Sequence, residues 1–318
     1  MKSIYLNENP ENVRRVYCVE DTVYQKADVL ANPERFASVE VLFSTWGMPC
    51  FTEEEIITCF PSLKALFYAA GSVQVFARPF LNRGIRVFSA WAANAVPVAE
   101  YTVAQIVLAN KGFFKTVRTQ VRREAETLIQ QFPGNYNGKI GIIGAGMVGK
   151  LVIQLLRNYQ LQVLVFDPFL TDEEAERLGV TKCSLKTLFE ECCVVSNHLA
   201  NNAETKGMLT HEHFSSMRPY ATFINTGRGA QVVEADLIDV LKQRPDLTAI
   251  LDVTDPEPPV SGSELYLLEN CMLTPHIAGS IGNEVQRMGE YMMTEYRGFL
   301  ENKVCNYEVT LEMLKTMA

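Results

Sequence analysis

Three polar side chains follow three successive apolar runs in the chain. Together they could bind the carboxylate of a small molecule and exchange a proton with that molecule. Arg228 lies between two glycines after "ATFIN", Glu257 lies in a proline-rich loop after "TAILDV", and His276 follows "NCMLTP". An arginine can bind a carboxylate through two parallel hydrogen bonds, and a histidine can exchange a proton near neutral pH. Each residue alone also fits a simpler role, as a surface arginine, a solvated acid or a structural histidine. Because the carboxyl ends of parallel strands meet at one edge of a sheet, the three together favour a catalytic site.

A glycine pattern upstream predicts a dinucleotide site at the same edge. Gly144, Gly146 and Gly149 form G-x-G-x-x-G between the apolar run "KIGII" and a helical pattern. These glycines allow a tight turn, close approach of a pyrophosphate and packing of the helix on the sheet. Asp167 ends the next apolar run, where an acid accepts hydrogen bonds from the adenosine ribose and repels a 2′-phosphate. The pattern therefore predicts NAD rather than NADP.

The alternation of short apolar runs with helical patterns predicts an α/β fold with parallel sheets, and 35.7 kDa is enough for two domains. Long helical patterns at about residues 98–126 and 283–302 suggest that the chain crosses to a second domain and returns. The predicted strands lie in "RRVYCVE", "VEVLFST", "LKALFYAAG" and "IRVFSA", and then in "KIGIIG", "QVLVFD", "CCVVSNHL", "ATFINTG", "TAILDVT" and "NCMLTPH".

Composition argues against several partners. The net charge of −8 and the pI near 5.2 do not favour a nucleic acid or an anionic membrane surface, which would need a basic face. The first residues have no uninterrupted apolar run of a signal peptide, so we expect a cytoplasmic protein. Cys18, Cys192, Cys193 and Cys271 are expected in the core of a reduced protein. His211 and His213 form an H-x-H without further ligands at suitable spacing, so we expect no metal site and a polar first helical turn instead.

With these motifs assembled, the chain resembles the D-isomer-specific 2-hydroxyacid dehydrogenases, a family that includes glyoxylate/hydroxypyruvate reductases and phosphoglycerate dehydrogenases. The resemblance covers nearly the whole chain, and "INTGRG", "LDVTDPEP" and "TPHIAGS", in that order, are its most specific part. It implies that Arg228, Glu257 and His276 are catalytic. The implied cofactor contacts are Gly144, Gly146, Met147, Val148, Gly149, Asp167, Thr226, Gly227, Arg228, Asp252, His276, Ala278 and Gly279. The implied substrate contacts are Gly71, Ser72 and Val73, with Arg228 and His276.

The resemblance also implies an architecture. It predicts two flavodoxin-like or Rossmann-like domains with the active site in the cleft between them, in a homodimer. The substrate-binding domain is expected to comprise residues 1–101 plus 289–318, and the NAD-binding domain residues 102–288. The implied reaction transfers a hydride between nicotinamide and a small 2-oxo or D-2-hydroxy acid.

Some features depart from the family pattern or leave alternatives open. "AGSVQVF" replaces the usual G-x-D-N-x-D type loop, so Val73 and Phe76 occupy the acidic places, and "HLANNAET" lacks the usual prolines. Trp46 could line the substrate pocket or belong to the core, and Arg78 could meet a phosphate or face water. A second function, that of an NAD-sensing corepressor that binds proteins, is compatible with the same residues.

Overall fold

The computed structural model describes residues 1–117 and 122–315, and the chain forms two compact units. The first unit comprises Met1–Ala95 and Ser280–Ala318, and the second comprises Val96–Gly279. The first is therefore built from both ends of the chain. The predicted boundaries, after residues 101 and 288, lie several residues further along the chain than these.

The helices and strands alternate through most of the described residues. The strands are β1 (Ser3–Leu6), β2 (Val23–Tyr24), β3 (Val41–Ser44), β4 (Ala65–Tyr68), β5 (Arg86–Ser89), β6 (Tyr136–Ile143), β7 (Gln160–Phe166), β8 (Thr181–Lys182), β9 (Val194–Asn197), β10 (Thr222–Asn225), β11 (Thr248–Leu251), β12 (Cys271–Leu273) and β13 (Glu308–Val309). The α-helices are α1 (Pro10–Tyr17), α2 (Lys26–Ala31), α3 (Pro33–Phe36), α4 (Glu53–Cys59), α5 (Ala77–Asn82), α6 (Trp91–Asn110), α7 (Phe113–Thr116), α8 (Arg122–Ile129), α9 (Met147–Leu156), α10 (Asp172–Leu178), α11 (Leu185–Glu191), α12 (His211–Ser215), α13 (Glu234–Gln243) and α14 (Glu284–Leu300).

The first unit contains a sheet with the order β13-β5-β4-β3-β1-β2 in the described part of the chain. All its pairs are parallel except β13, which runs antiparallel to β5. Every residue of β3 and β4 is buried, as expected for strands covered by helices on both faces. Thr52 caps α4, because its hydroxyl accepts a hydrogen bond from the Glu55 amide at 3.2 Å.

The prediction of a strand in "RRVYCVE" is wrong, because these residues lie largely in α1. Asn9 caps this helix through the Glu11 amide, Pro10 occupies its first turn, and Val13, Val16 and Tyr17 form its buried face at helical spacing. Cys18, expected in the core, is exposed instead, because it terminates α1 in the left-handed conformation with φ of 55°.

The second unit contains a sheet with the order β12-β11-β10-β9-β6-β7-β8, parallel throughout the described strands. All six predicted strands of this half are present. Two α/β units with parallel Rossmann-like sheets are therefore confirmed.

The single long helix predicted for residues 98–126 is wrong, because α6 ends at Asn110 and α7 follows. Gly112 has φ of +68°, and a Cβ there would lie 2.4 Å from the Phe132 ring, so a continuous helix does not fit. Residues 118–121 of that prediction lie outside the described residues, and residues 122–126 lie in α8. The H-x-H pair lies in the first turn of α12, where Nδ1 of His213 accepts the Thr210 amide at 3.1 Å.

Among the described residues, one helix, α6, is long and apolar enough to cross a membrane by length and composition alone. More than half of its apolar window, 56%, is buried inside the protein. The core helix of a folded domain passes the same test.

Candidate active site

The three strands that precede Arg228, Glu257 and His276 are neighbours in one parallel sheet. β10 pairs with β11 and β11 pairs with β12, all in parallel register. Each of the three side chains follows the carboxyl end of its strand, so they share one edge of the second unit.

His276 and Glu257 are directly hydrogen-bonded. Nδ1 of His276 lies 2.7 Å from Oε1 of Glu257, and the two side chains are 47% and 41% exposed. His276 adopts the left-handed conformation with φ of 54°, which is uncommon outside glycine. Its amide donates to the carbonyl oxygens of Asp252 and Thr274, both at 3.0 Å. The imidazole is therefore held at a fixed point, with Nε2 as the nitrogen that can face a substrate.

Asp252 fixes the loop that carries His276. It is 2% exposed, its Oδ1 accepts the Thr274 hydroxyl at 2.6 Å and the Ile277 amide at 2.8 Å, and its Oδ2 accepts the Ala278 amide at 2.9 Å. Tyr101 extends this chain, because its hydroxyl lies 3.1 Å from that of Thr274. Sequence reasoning missed Tyr101 and Thr274, although Thr274 adjoins the "PHIAG" motif. Gly279 lies in the same loop, between β12 and α14.

Arg228 lies in a tight loop between two glycines whose surroundings are too crowded for a side chain. A Cβ on Gly229 would lie 2.0 Å from the Thr254 carbonyl carbon, and one on Gly227 would lie 2.8 Å from Oε1 of Gln231. The guanidinium donates from Nη1 to the Gly227 carbonyl at 2.8 Å. Burial lowers the pKa of the Arg228 guanidinium, while the Glu257 carboxylate acts in the opposite direction. The side chain remains a cation, because arginine keeps its proton in proteins.

The glycine loop between β6 and α9 has the geometry of a pyrophosphate cradle. Gly144 has φ of +89°, and a Cβ on Gly149 would lie 2.0 Å from the Gly144 carbonyl oxygen. Gly146 precedes α9 and faces open space, so a ligand can approach its backbone. Met147 opens the helix with an exposed side chain, whereas Val148 packs against the core.

Asp167 lies beside this loop at the end of β7. Its Oδ2 accepts the Ala145 amide at 2.6 Å and its Oδ1 accepts the Phe169 amide at 2.7 Å. The carboxylate thus lies next to the glycine turn, where an adenosine ribose would lie beside a bound pyrophosphate. The residues present therefore fit a dinucleotide without a 2′-phosphate.

A histidine just after β9, His198, connects this strand to the loop that follows β10. Nε2 of His198 lies 2.9 Å from the Ser196 hydroxyl, and Nδ1 lies 3.4 Å from the hydroxyl of Thr226, which also meets Thr102 at 3.2 Å. Burial lowers the pKa of His198 to about 3. His198 was not selected from the sequence, although it adjoins the polar end of "CCVVSN".

The predicted substrate loop belongs to the first unit. Ser89 donates from its hydroxyl to the Gly71 carbonyl at 2.5 Å, and Ser72 is exposed. The side chains of Val73 and Phe76 are buried in the core, so only backbone groups of this loop can face a ligand at those two positions. Trp46 packs against both core clusters of this unit, and Arg78 is exposed.

Residues 104–278 match the family model for the NAD binding domain of the D-isomer specific 2-hydroxyacid dehydrogenases. The chain belongs to this family. The D-3-phosphoglycerate dehydrogenase of Archaeoglobus fulgidus is 31% identical over 231 residues, which are 72% of this chain and 44% of that protein. The chain thus spans less than two thirds of the length of the curated relatives it matches.

Solved structures show the same dehydrogenase fold. The Rhodotorula graminis D-mandelate dehydrogenase, in its apo form, matches with a TM-score of 0.78 and 20% identity, covering 97% of both chains. A D-isomer specific 2-hydroxyacid dehydrogenase from Lactobacillus delbrueckii, in an NAD complexed form, also gives 0.78, with 19% identity over 98% of this chain and 100% of that one. The family's NAD binding domain, together with the glycine loop and Asp167, makes NAD the cofactor of this chain.

Proposed function

We propose that the protein is an NAD-dependent oxidoreductase that interconverts a small 2-oxo acid and its D-2-hydroxy acid. The observation that carries this proposal is the 2.7 Å pair of His276 and Glu257 beside Arg228, on the same sheet edge as the glycine loop. NAD supplies the hydride chemistry when bound. The chain itself must bind the acid, orient it and move one proton.

His276 is the general acid in the reductive direction. Reduction of a 2-oxo acid places negative charge on the carbonyl oxygen, so a proton must reach that oxygen. Glu257 accepts a hydrogen bond from Nδ1, which favours the imidazolium and leaves the Nε2 proton for the substrate. In the oxidative direction, the neutral imidazole removes the hydroxyl proton.

Arg228 binds the substrate carboxylate. Its cation is partly buried, and a guanidinium in such surroundings holds a carboxylate through two charge-assisted hydrogen bonds. The same cation polarises the adjacent carbonyl and lowers the barrier to reduction. Gly71, Ser72 and Val73 of the first unit are proposed to contribute backbone amides to the carboxylate, which makes this unit the substrate-binding domain.

The cofactor contacts are proposed along the edge of the second unit. The glycine loop with Met147 and Val148 holds the pyrophosphate, and Asp167 holds the adenosine ribose. The contacts proposed around the nicotinamide end are Thr226, Gly227, Asp252, Ala278 and Gly279.

We also propose that the protein acts in the cytoplasm as a homodimer. Light scattering at micromolar concentration would test the homodimer.

The activity is tested by following NADH absorbance with glyoxylate, hydroxypyruvate, pyruvate, 3-phosphohydroxypyruvate and phenylglyoxylate in turn. We expect oxidation of NADH with at least one of these 2-oxo acids, and none above background with the matching 2-hydroxy acids, which cannot accept a hydride. NADH binding without turnover of any 2-oxo acid would contradict the enzymatic function.

A further inference from the structure

Three side-chain amides are buried beneath the Arg228 loop. Asn197 ends β9, Asn225 ends β10, and Gln231 lies in the short turn after Arg228; each is at most 1% exposed. Asn197 and Asn225 are register partners across the two strands. The proposed chemistry uses none of them, yet burying an amide is costly unless its hydrogen bonds are satisfied.

The three amides bond to one another. Nδ2 of Asn197 donates to Oε1 of Gln231 at 2.6 Å and to Oδ1 of Asn225 at 3.0 Å. Because Asn197 reaches both of the others, the three side chains form one connected network.

The network holds the backbone of Arg228 on both sides. The Arg228 amide donates to Oε1 of Gln231 at 3.1 Å, and the Arg228 carbonyl accepts from Nδ2 of Asn225 at 3.1 Å. Oδ1 of Asn225 also accepts the Gly227 amide at 3.1 Å. The backbone from which the Arg228 side chain starts is therefore fixed by Asn225 and Gln231, and Asn197 holds both of these amides.

Gln231 also fixes the loop that follows β9. Its Nε2 donates to the carbonyl oxygens of Leu199 at 2.7 Å and Ala200 at 3.0 Å. A single buried side chain thus connects the loop after β9 to the loop that carries Arg228. An apolar side chain at this position could fill the space but could make none of these bonds.

We propose that Gln231, supported by Asn197, is a positioning residue that sets the place of Arg228 for binding the substrate carboxylate. This inference rests on the proposed function, since it assigns a task to the neighbour of a proposed catalytic residue. A guanidinium that must meet a carboxylate with two hydrogen bonds tolerates little displacement of its own backbone.

The test compares Gln231→Leu with Asn270→Leu. Asn270 is a matched control because it is 6% exposed and its Nδ2 donates to two backbone carbonyls, those of Leu241 and Arg244, just before the amino end of β12. Both variants lose a buried side-chain amide, but only Gln231→Leu loses the hydrogen bond from the Arg228 amide. Hydrogen exchange measured by mass spectrometry, with fragmentation that resolves single amides, follows the Arg228 N–H.

We expect faster exchange at Arg228 in Gln231→Leu and wild-type exchange at Arg228 in Asn270→Leu. With the best 2-oxo acid, Gln231→Leu should raise the KM for the acid about tenfold, an effect of about 1.4 kcal/mol, and leave the KM for NADH within about twofold. Asn270→Leu should lower thermal stability without changing either KM. Unchanged exchange at Arg228, or an unchanged KM for the acid in a folded Gln231→Leu, would overturn the inference.

Arg228→Ala separates this inference from the proposed function. If Arg228→Ala leaves the kinetics with every 2-oxo acid unchanged, the proposed role of Arg228 fails. If Arg228→Ala is severely impaired while Gln231→Leu behaves like Asn270→Leu, only the positioning role fails. The exchange measurement does not depend on turnover.

Discussion

Nδ1 of His276 lies 2.7 Å from Oε1 of Glu257, and His276 holds this position from a left-handed backbone conformation. The two residues follow adjacent parallel strands, and the loop of His276 is tied to the buried Asp252. The fold thus holds an imidazole against a carboxylate partner at an exposed edge. A positioned and accessible imidazole of this kind is what general acid–base catalysis uses.

Replacing Glu257 with Gln tests this pair through pH. The amide keeps the shape but removes the carboxylate charge that lies against Nδ1 of His276, so the imidazolium that donates the proton loses its partner. Reduction of the 2-oxo acid needs the protonated form, so its loss of activity with rising pH should move to lower pH. The measurement is kcat/KM for the acid as a function of pH. An unchanged profile would assign His276 a structural role.

Replacing Asp167 with Ala tests cofactor selection. Both carboxylate oxygens accept hydrogen bonds from backbone amides, so the variant should lose some affinity for NADH and NADPH alike. The informative quantity is therefore the ratio of kcat/KM for the two cofactors, in which a shared loss cancels. We expect the preference for NADH to narrow, because the repulsion of a 2′-phosphate disappears with the carboxylate. A ratio equal to that of the wild type would show that Asp167 does not select NADH over NADPH.

His198 should make the protein less stable in acid. Burial lowers the pKa of His198 to about 3 in the folded protein. In the unfolded chain, the imidazole has its ordinary pKa of about 6.5 and binds a proton below that pH. The unfolded state therefore binds more protons between these values, and stability should fall as pH decreases from about 6.5 towards 3. As the pH is lowered from 7.5 to 4.5, the melting temperature should decrease less steeply in His198→Gln than in the wild type. Equal slopes in His198→Gln and the wild type would contradict this assignment.

The sheet of the second unit could be predicted from the sequence because its central strands are buried on both faces and so appear as short apolar runs. Edge strands such as Val23–Tyr24 and Thr181–Lys182 have two residues each and no comparable signal. The prediction at α1 is wrong because a short apolar run such as "VYCV" does not by itself distinguish a strand from a helix, whereas Asn9 and Pro10 begin a helix.

The proposed catalytic residues could be selected from the sequence because each lies in the loop that follows a recognisable strand. The amides of Asn197 and Gln231 could not, since their partners depend on how two strands and a turn meet. Likewise, Tyr101 lies far from Thr274 in the chain, and only the folded unit brings their hydroxyls together. Supporting contacts of this kind depend on tertiary structure and leave no local pattern.

The most direct test of the central claim is the single-turnover and steady-state reduction of a 2-oxo acid by His276→Ala. If His276 donates the proton, kcat should fall about 10²–10⁴-fold while NADH binding, measured by fluorescence titration, stays near that of the wild type. The double variant His276→Ala with Glu257→Gln should be little slower than His276→Ala alone, because residues that act as a unit are not additive. A His276→Ala protein that is folded, binds NADH and reduces the 2-oxo acid at the wild-type rate would contradict the account.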